Sequence, residues 1–199
     1  MSESKKHILE TAFRLFLQKN FKEVTMNEIV EKTGLSKGAF YHYFKSKEEL
    51  FEDVVNEYYL SDLAVQYEKL DKSSLSKYCE EYLNMVKSFS AWQLLGEGNN
   101  EELTTNYYLL IFDALKILPG FKQKMIKMNQ NEFNAMKQAV INARKNGEIK
   151  SILSDDQIAG IFLFITDGLG IRSIMYGNLS TMLDQIKKFW DSFYASIKS

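Results

Sequence analysis

Apolar residues along this chain recur every three or four positions, in runs broken by short polar stretches. Ile8, Leu9, Ala12, Phe13 and Phe16 fall on one helical face, which predicts a helix over about residues 4–19. Asn20 follows, a residue that tolerates the left-handed backbone common just past a helix end. Thr25 with Glu28 reads as a capping box opening a second helix to about Lys32. Gly34 permits a tight turn, and Ser36 caps a third helix ending near Phe44. Ser46 with Glu49 forms another capping box and opens a long fourth helix, expected to reach about Glu68. Five more helical stretches are predicted, over about 73–95, 102–118, 120–146, 155–176 and 180–197. LDKSS, GEGNN, LPG, NGEIKS and YGNLS punctuate them with turn formers. The expected fold class is all-α with about nine helices. Residues 1–46 would form a three-helix N-terminal domain, and residues 47–199 a larger helical domain that the fourth helix bridges to the first.

One stretch departs from plain amphipathic patterning. TGLSKGAFYHYFKSKEELF, from Thr33 to Phe51, crowds Phe40, Tyr41, His42, Tyr43 and Phe44 among lysines. Phe40 and Phe44 stand four apart, so they share a face that can pack on the first two helices. The opposite side then carries Lys37, Gly38, Tyr41 and His42. Two helices joined by a short glycine-bearing turn make a helix-turn-helix, whose second helix enters the DNA major groove by its N-terminal residues. Gly38 and Ala39, behind the capping Ser36, are small enough for the backbone to approach base edges. Lys37 can donate to guanine acceptors. Tyr41, His42 and Tyr43 can donate to phosphates or pack on thymine methyls. Thr25 and Lys47, each at a helix start, are placed to hold phosphates. The candidate DNA-binding set is therefore Thr25, Ser36, Lys37, Gly38, Ala39, Tyr41, His42, Tyr43 and Lys47, and the expected partner is double-stranded DNA.

Composition narrows the alternatives. A 45% hydrophobic content across 199 residues supports a real core, while one proline and ten glycines argue against disorder and an all-β design. The net charge of −1 excludes a generic polycation. The first 50 residues nevertheless hold nine Lys/Arg against seven Asp/Glu, which leans the N-terminal module toward an anionic partner. Cys79 is the only cysteine, so an internal disulfide or cysteine zinc cluster is out, and His7 and His42 are too far apart to suggest a metal pair. No metal or cofactor is expected. The N-terminus has no apolar stretch of signal-peptide length, and the longest unbroken apolar run without tyrosine, Ile161 to Ile165, falls far short of a membrane span. These features point to a cytoplasmic protein without a membrane partner. Phosphate-binding glycine loops, nucleophile elbows and HExxH are missing. The pairs Glu48/Glu49, Glu80/Glu81, Glu101/Glu102 and Asp155/Asp156 are adjacent on helices and point apart, so no enzyme is expected.

TMNEIVEKTGLSKGAFYHYFKSKEELFEDVV resembles the N-terminal domain of TetR-family transcriptional regulators, over about Lys6 to Val55. The Gly34-Leu35-Ser36-Lys37-Gly38 turn, the Tyr41-His42-Tyr43-Phe44 run and the Lys45-Ser46-Lys47-Glu48 entry to the fourth helix occur together and in order. Asn20 stands where the family usually has glycine, Met26 where a second threonine is common, and Val30 at a usual alanine position. The resemblance implies a homodimer, usually a repressor. It also implies a small-molecule effector in the larger domain that changes the spacing of the two recognition helices and releases DNA. A two-fold dimer predicts a palindromic operator.

Beyond that stretch the reading rests on the residues themselves. The eighth helix is apolar on more than one side, and the ninth carries two apolar stripes, one through Met182, Ile186, Phe189, Phe193 and Ile197 and a second through Leu183, Trp190 and Tyr194. Two stripes suit two partners, the subunit's own core and a second subunit in a two-fold four-helix bundle. The candidate dimer residues are Ile161, Ile165, Gly168, Leu169, Arg172, Ile186, Phe189, Trp190 and Phe193. Tyr82, Met85, Phe89, Trp92, Tyr107, Tyr108, Phe112, Met125 and Met128 are candidate linings of an apolar or aromatic effector pocket. The competing reading is a helical interaction module that acts on a protein partner without DNA binding.

Overall fold

The computed structural model describes residues 1–60, 67–88, 101–176 and 181–199, apart from the side chains of 101–104 and 174. Among the described residues it is all-α, with nine α-helices and no strand. They are α1 (Glu3–Gln18), α2 (Met26–Thr33), α3 (Lys37–Tyr43), α4 (Lys47–Val55), α5 (Leu75–Lys87), α6 (Glu101–Ile117), α7 (Phe121–Lys145), α8 (Asp155–Tyr176) and α9 (Met182–Ile197). The chain clusters into two compact units, one of Met1–Asp62 with Glu102–Met125, the other of Leu63–Glu101 with Ile126–Ser199.

In the first unit, α1 buries Ile8, Leu9, Ala12, Phe13 and Phe16 against α2 and α4. Phe16 meets Phe51 edge-on at 5.1 Å and Phe21 lies 4.6 Å from the same ring, so an aromatic cluster closes α1 onto α4. Phe40 and Phe44, the two rings of α3 expected to face inward, are 0% and 1% exposed. The side-chain amide of Asn106 on α6 donates to the Leu17 carbonyl at 2.8 Å and satisfies an orphan acceptor at the end of α1.

The fourth helix changes character after Val55, and residues 61–66 of its predicted span lie outside the described residues. The α-helix stops at Val55, a π-helical turn covers Asn56–Leu60, and residues 67–70 form a turn. A π turn takes one extra residue and so rotates its side chains relative to the preceding helix. Here Tyr58 lies flat on Phe13 at 4.3 Å, and Tyr59 meets Tyr107 and Phe121 at 6.0 and 6.3 Å. The predicted fifth helix likewise ends at Lys87, and residues 89–95 of that prediction lie outside the described residues.

In the second unit, α8 and α9 pack along their length. Trp190 is their centre: 1% exposed, 5.3 Å from Phe162, with its indole N–H donating to the Phe162 carbonyl at 2.8 Å. Past α7, Gly147 adopts a left-handed φ of 73° and turns the chain so that Glu148 reaches the start of α5. The Glu148 carboxylate accepts from the Leu75 and Ser76 backbone N–H groups at 3.0 and 2.9 Å, and from the Ser74 and Tyr194 hydroxyls. It caps α5 from 72 residues away in sequence.

Burial pushes the Glu148 carboxyl up, but those donors outweigh it and leave it below the ordinary value. A carboxyl lowered on folding contributes stability that is present above the unfolded value, ~4.3, and lost as pH falls through the folded one. Glu148→Ala is expected to cost about 2 kcal/mol, a melting temperature lower by about 4–8 °C at pH 7. The gap between parent and variant should narrow as pH drops below about 4. Thermal melts across pH check both halves.

Candidate nucleic-acid interface

The helix-turn-helix is built by side chains that cap each helix. The Thr25 hydroxyl accepts from the Glu28 N–H at 3.2 Å, and Ser36 does the same for Ala39 at 3.3 Å. Between them Gly34 sits at φ 68°, ψ 5°, a left-handed conformation that glycine adopts freely. Thr33 is buried beneath the turn, donating to the Val30 carbonyl at 2.8 Å and accepting from the Leu35 N–H at 3.4 Å. The His7 ring of α1 contacts the Thr33 carbonyl at 3.1 Å. Glu28 reaches back to the Thr25 N–H and also pairs with Lys19, whose hydrogen bond is the larger cause that holds its carboxyl below the usual range. Glu49 reaches past Ser46 and accepts from the Lys45 N–H at 2.8 Å.

This frame leaves one side of α3 open. Ser36, Lys37, Gly38, Ala39 and His42 are exposed, and Tyr41 and Tyr43 are half-buried. Lys37 has no ion pair among the described residues. No heavy atom lies within 4 Å of where a Cβ on Gly38 would stand, so packing within the chain does not demand glycine there. Tyr41 stands edge-on to Phe40 at 5.6 Å, and His42 to Tyr43 at 5.3 Å. The Tyr43 hydroxyl lies 3.2 Å from the Ser2 hydroxyl at the start of α1, so this ring also ties the N-terminus to α3. Lys5 adds a second tie, paired with Asp53 at 2.8 Å and lying over the Phe44 ring.

Lys47 has a role that sequence spacing does not reveal. Its ammonium donates to the Phe21 and Val24 carbonyls at 2.7 and 2.8 Å and stands 4.3 Å above the Phe21 ring. It fastens the turn after α1 to the start of α4. Its partners lie 23 and 26 residues back in sequence, beyond the reach of a local pattern. Its remaining donor capacity and the free N–H groups of the α4 N-terminus are what a phosphate could use.

Known proteins similar to this chain have the same design. Residues 8–54 match the profile of bacterial regulatory proteins, tetR family. The HTH-type transcriptional regulator YfiR of Bacillus subtilis is 38% identical over 175 residues, which cover 85% of this chain and 78% of that protein. The chain belongs to the TetR family. Another B. subtilis HTH-type transcriptional regulator, YuxN, is 48% identical over 59 residues, spanning 30% of this chain and only 20% of that protein. The fold extends across the family: a TetR transcription regulator of Haloarcula marismortui superposes with a TM-score of 0.74 at 14% identity, covering 100% of both chains.

The other residues singled out in this TetR-family sequence divide between the units. Tyr82, Met85 and Met128 are buried in the second unit. In the first, Tyr107, Tyr108 and Met125 are half-buried and Phe112 is 53% exposed. Phe89 and Trp92 lie outside the described residues. The candidate dimer set needs correcting at two positions. Ile186 and Trp190 are each 1% exposed and filled by the subunit's own core, so neither offers a surface. Ile161, Ile165, Leu169 and Phe193 are half-buried, while Gly168, Arg172 and Phe189 are exposed. Among the described side chains, the most open apolar positions of α8 are instead Phe164, Ile171, Met175 and Tyr176. Phe164, Gly168, Ile171 and Met175 are spaced four, three and four apart and form one stripe.

Among the described residues no helix is long and apolar enough to cross a membrane. Burial raises the Cys79 thiol well above its ordinary value, which keeps it protonated near neutral pH.

Proposed function

We propose that this protein is a homodimeric, sequence-specific DNA-binding repressor, released from a palindromic operator by a small-molecule effector. The single observation that carries this is the open face of α3. Lysine, glycine, alanine, tyrosine and histidine stand outward on a helix whose phenylalanines are locked inward. Ser36, Lys37, Gly38, Ala39, Tyr41 and His42 read the groove, while Thr25, Tyr43 and Lys47 hold the flanking backbone. Residues 1–46, with Lys47 at the start of α4, carry this contact, and the rest of 47–199 the dimer and effector functions. The α8 stripe, with Phe189 of α9, is the surface for the second copy, and Gly168 allows close approach of the paired helices. Tyr82, Met85 and Met128, all of the second unit, are the proposed apolar linings of an effector site.

Gly38→Ala tests the contact without disturbing the fold. The new methyl meets nothing within the chain, and alanine favours a helix over glycine by about 0.5–1 kcal/mol. The melting temperature is expected to hold or rise slightly while capture of operator DNA falls about 5–150-fold, one lost contact of about 1–3 kcal/mol. A variant that captures DNA like the parent would remove Gly38 from the interface. Salt-insensitive association with a protein partner, without a DNA footprint, would favour the interaction module instead.

A further inference from the structure

The turn between α1 and α2 is tied down at every residue, which a surface connection does not ordinarily require. The Asn20 side-chain carbonyl accepts from the Lys22 and Glu23 N–H groups at 3.0 and 3.2 Å. The Asn20 backbone carbonyl accepts from the Glu23 and Val24 N–H groups at 3.2 and 3.3 Å. The carbonyls of Phe21 and Val24 accept from the Lys47 ammonium at 2.7 and 2.8 Å. Phe21 and Val24 are themselves buried, so the backbone between them is anchored from both sides.

From this fixed backbone Lys22 and Glu23 project into solvent. Neither Lys22 nor Lys47 has an ion pair among the described residues. The nearby Glu28 of α2 is already matched, because Lys19 pairs with it. Two ammonium groups without carboxylate partners therefore stand at one corner of the first unit. Lys22 lies between the two carbonyls that Lys47 holds, and three positions before Thr25, whose hydroxyl caps α2. Thr25 and Lys47 are both proposed above to hold the DNA backbone. Phosphates on one strand recur about every 3.4 Å along the duplex axis, so a surface that meets one of them meets its neighbours too.

We propose that Lys22 is a further DNA-backbone contact, carried by the α1–α2 turn, and that Asn20 and Lys47 position it. This contact rests on the DNA-binding reading and adds to it a residue outside the helix-turn-helix. An ammonium on a pre-ordered backbone loses less freedom on binding than one on a mobile loop. A phosphate contact reads no base, so Lys22 contributes alike to every sequence.

The test measures binding of the full-length protein to a duplex that the parent selects from genomic DNA, over a range of salt concentrations. Lys22→Ala should flatten the slope of log K against log salt by about 0.9, one phosphate's worth, and weaken binding about 5-fold near ~0.15 M salt. A scrambled duplex should lose the same factor. The melting temperature should not move, since the side chain is exposed and without an ion pair. Lys22→Arg should keep slope and affinity. Glu23→Gln removes a charge from the next residue and should change the slope by less than half as much. Asn20→Ala keeps every charge but frees the turn, and in that background replacing Lys22 should have less than half its effect in the parent. An unchanged slope in Lys22→Ala overturns the contact. So does a Glu23→Gln slope that rises as much as the Lys22→Ala slope falls, because the charge would then act through the general field. An undiminished Lys22 effect in Asn20→Ala removes the positioning role of Asn20. A parent that captures no duplex at any salt refutes the DNA-binding reading itself. A parent that binds DNA no better than Lys22→Ala refutes this contact alone.

Discussion

Ile171→Glu is expected to turn the protein into a monomer of 23.1 kDa and to abolish operator binding. Ile171 is 55% exposed at the middle of the α8 stripe, between Gly168 and Met175. In a two-fold dimer the same patch meets itself, so one substitution acts twice. Full burial of an isoleucine contributes about 1.5–3 kcal/mol and a little over half of Ile171 remains to be covered, so two copies give about 1.6–3.3 kcal/mol, a ~15–250-fold loss in association before any carboxylate repulsion is counted. Operator binding falls with it, because one recognition helix offers a small interface and only a dimer spans two half-sites. Ile152→Glu is the control, since Ile152 is fully exposed in a loop and off the stripe. Light scattering at micromolar concentration reads the result. A 171 variant of dimer mass would place the subunit contact elsewhere.

Trp190→Ala is expected to produce the largest loss of stability of any single substitution in the second unit. The indole is 1% exposed, fills the space between α8 and α9, and touches Phe162 and Tyr82. Truncating a buried tryptophan costs about 3–5 kcal/mol, since the cavity collapses only in part. For a chain of this size that lowers the melting temperature by roughly 6–20 °C. Trp190→Phe should be far milder. It keeps most of the ring volume, and the Phe162 carbonyl that loses the indole N–H still receives the Thr166 hydroxyl at 3.2 Å. Calorimetry of the two variants tests the argument, and similar melting temperatures would mean that the indole is not the keystone of α8 and α9.

The N-terminal module was largely legible because its determinants are local. Thr25, Ser36 and Ser46 cap helices one turn away, Gly34 supplies the left-handed turn, and Phe40 with Phe44 face inward as their four-residue spacing requires. Determinants that act over long separations were not. The Glu148 cap on α5, the Lys47 clasp on Phe21 and Val24, and the Tyr82–Glu132 hydrogen bond join residues 23 to 74 positions apart. In the sequence each looks like an ordinary polar residue on a helix or loop. The π turn after Val55 was hidden for a related reason: the apolar periodicity continues, and only the packing of Tyr58 on Phe13 rewards the extra residue. On α9 the sequence reveals two stripes but not which one faces home. The structure buries Met182, Ile186, Trp190 and Ile197 together and turns Phe189 outward, so the two stripes exchange members.

The most direct measurement is selection of fragmented DNA from the source genome by the purified protein at physiological salt, with Tyr41→Ala alongside. The parent is expected to enrich a palindrome whose half-sites lie about 34–36 Å apart or a multiple of that, and the variant is not. Repeating the selection after unfolding and refolding removes any effector carried through purification. A parent that enriches no sequence even then, or enriches the same DNA as Tyr41→Ala, would contradict it.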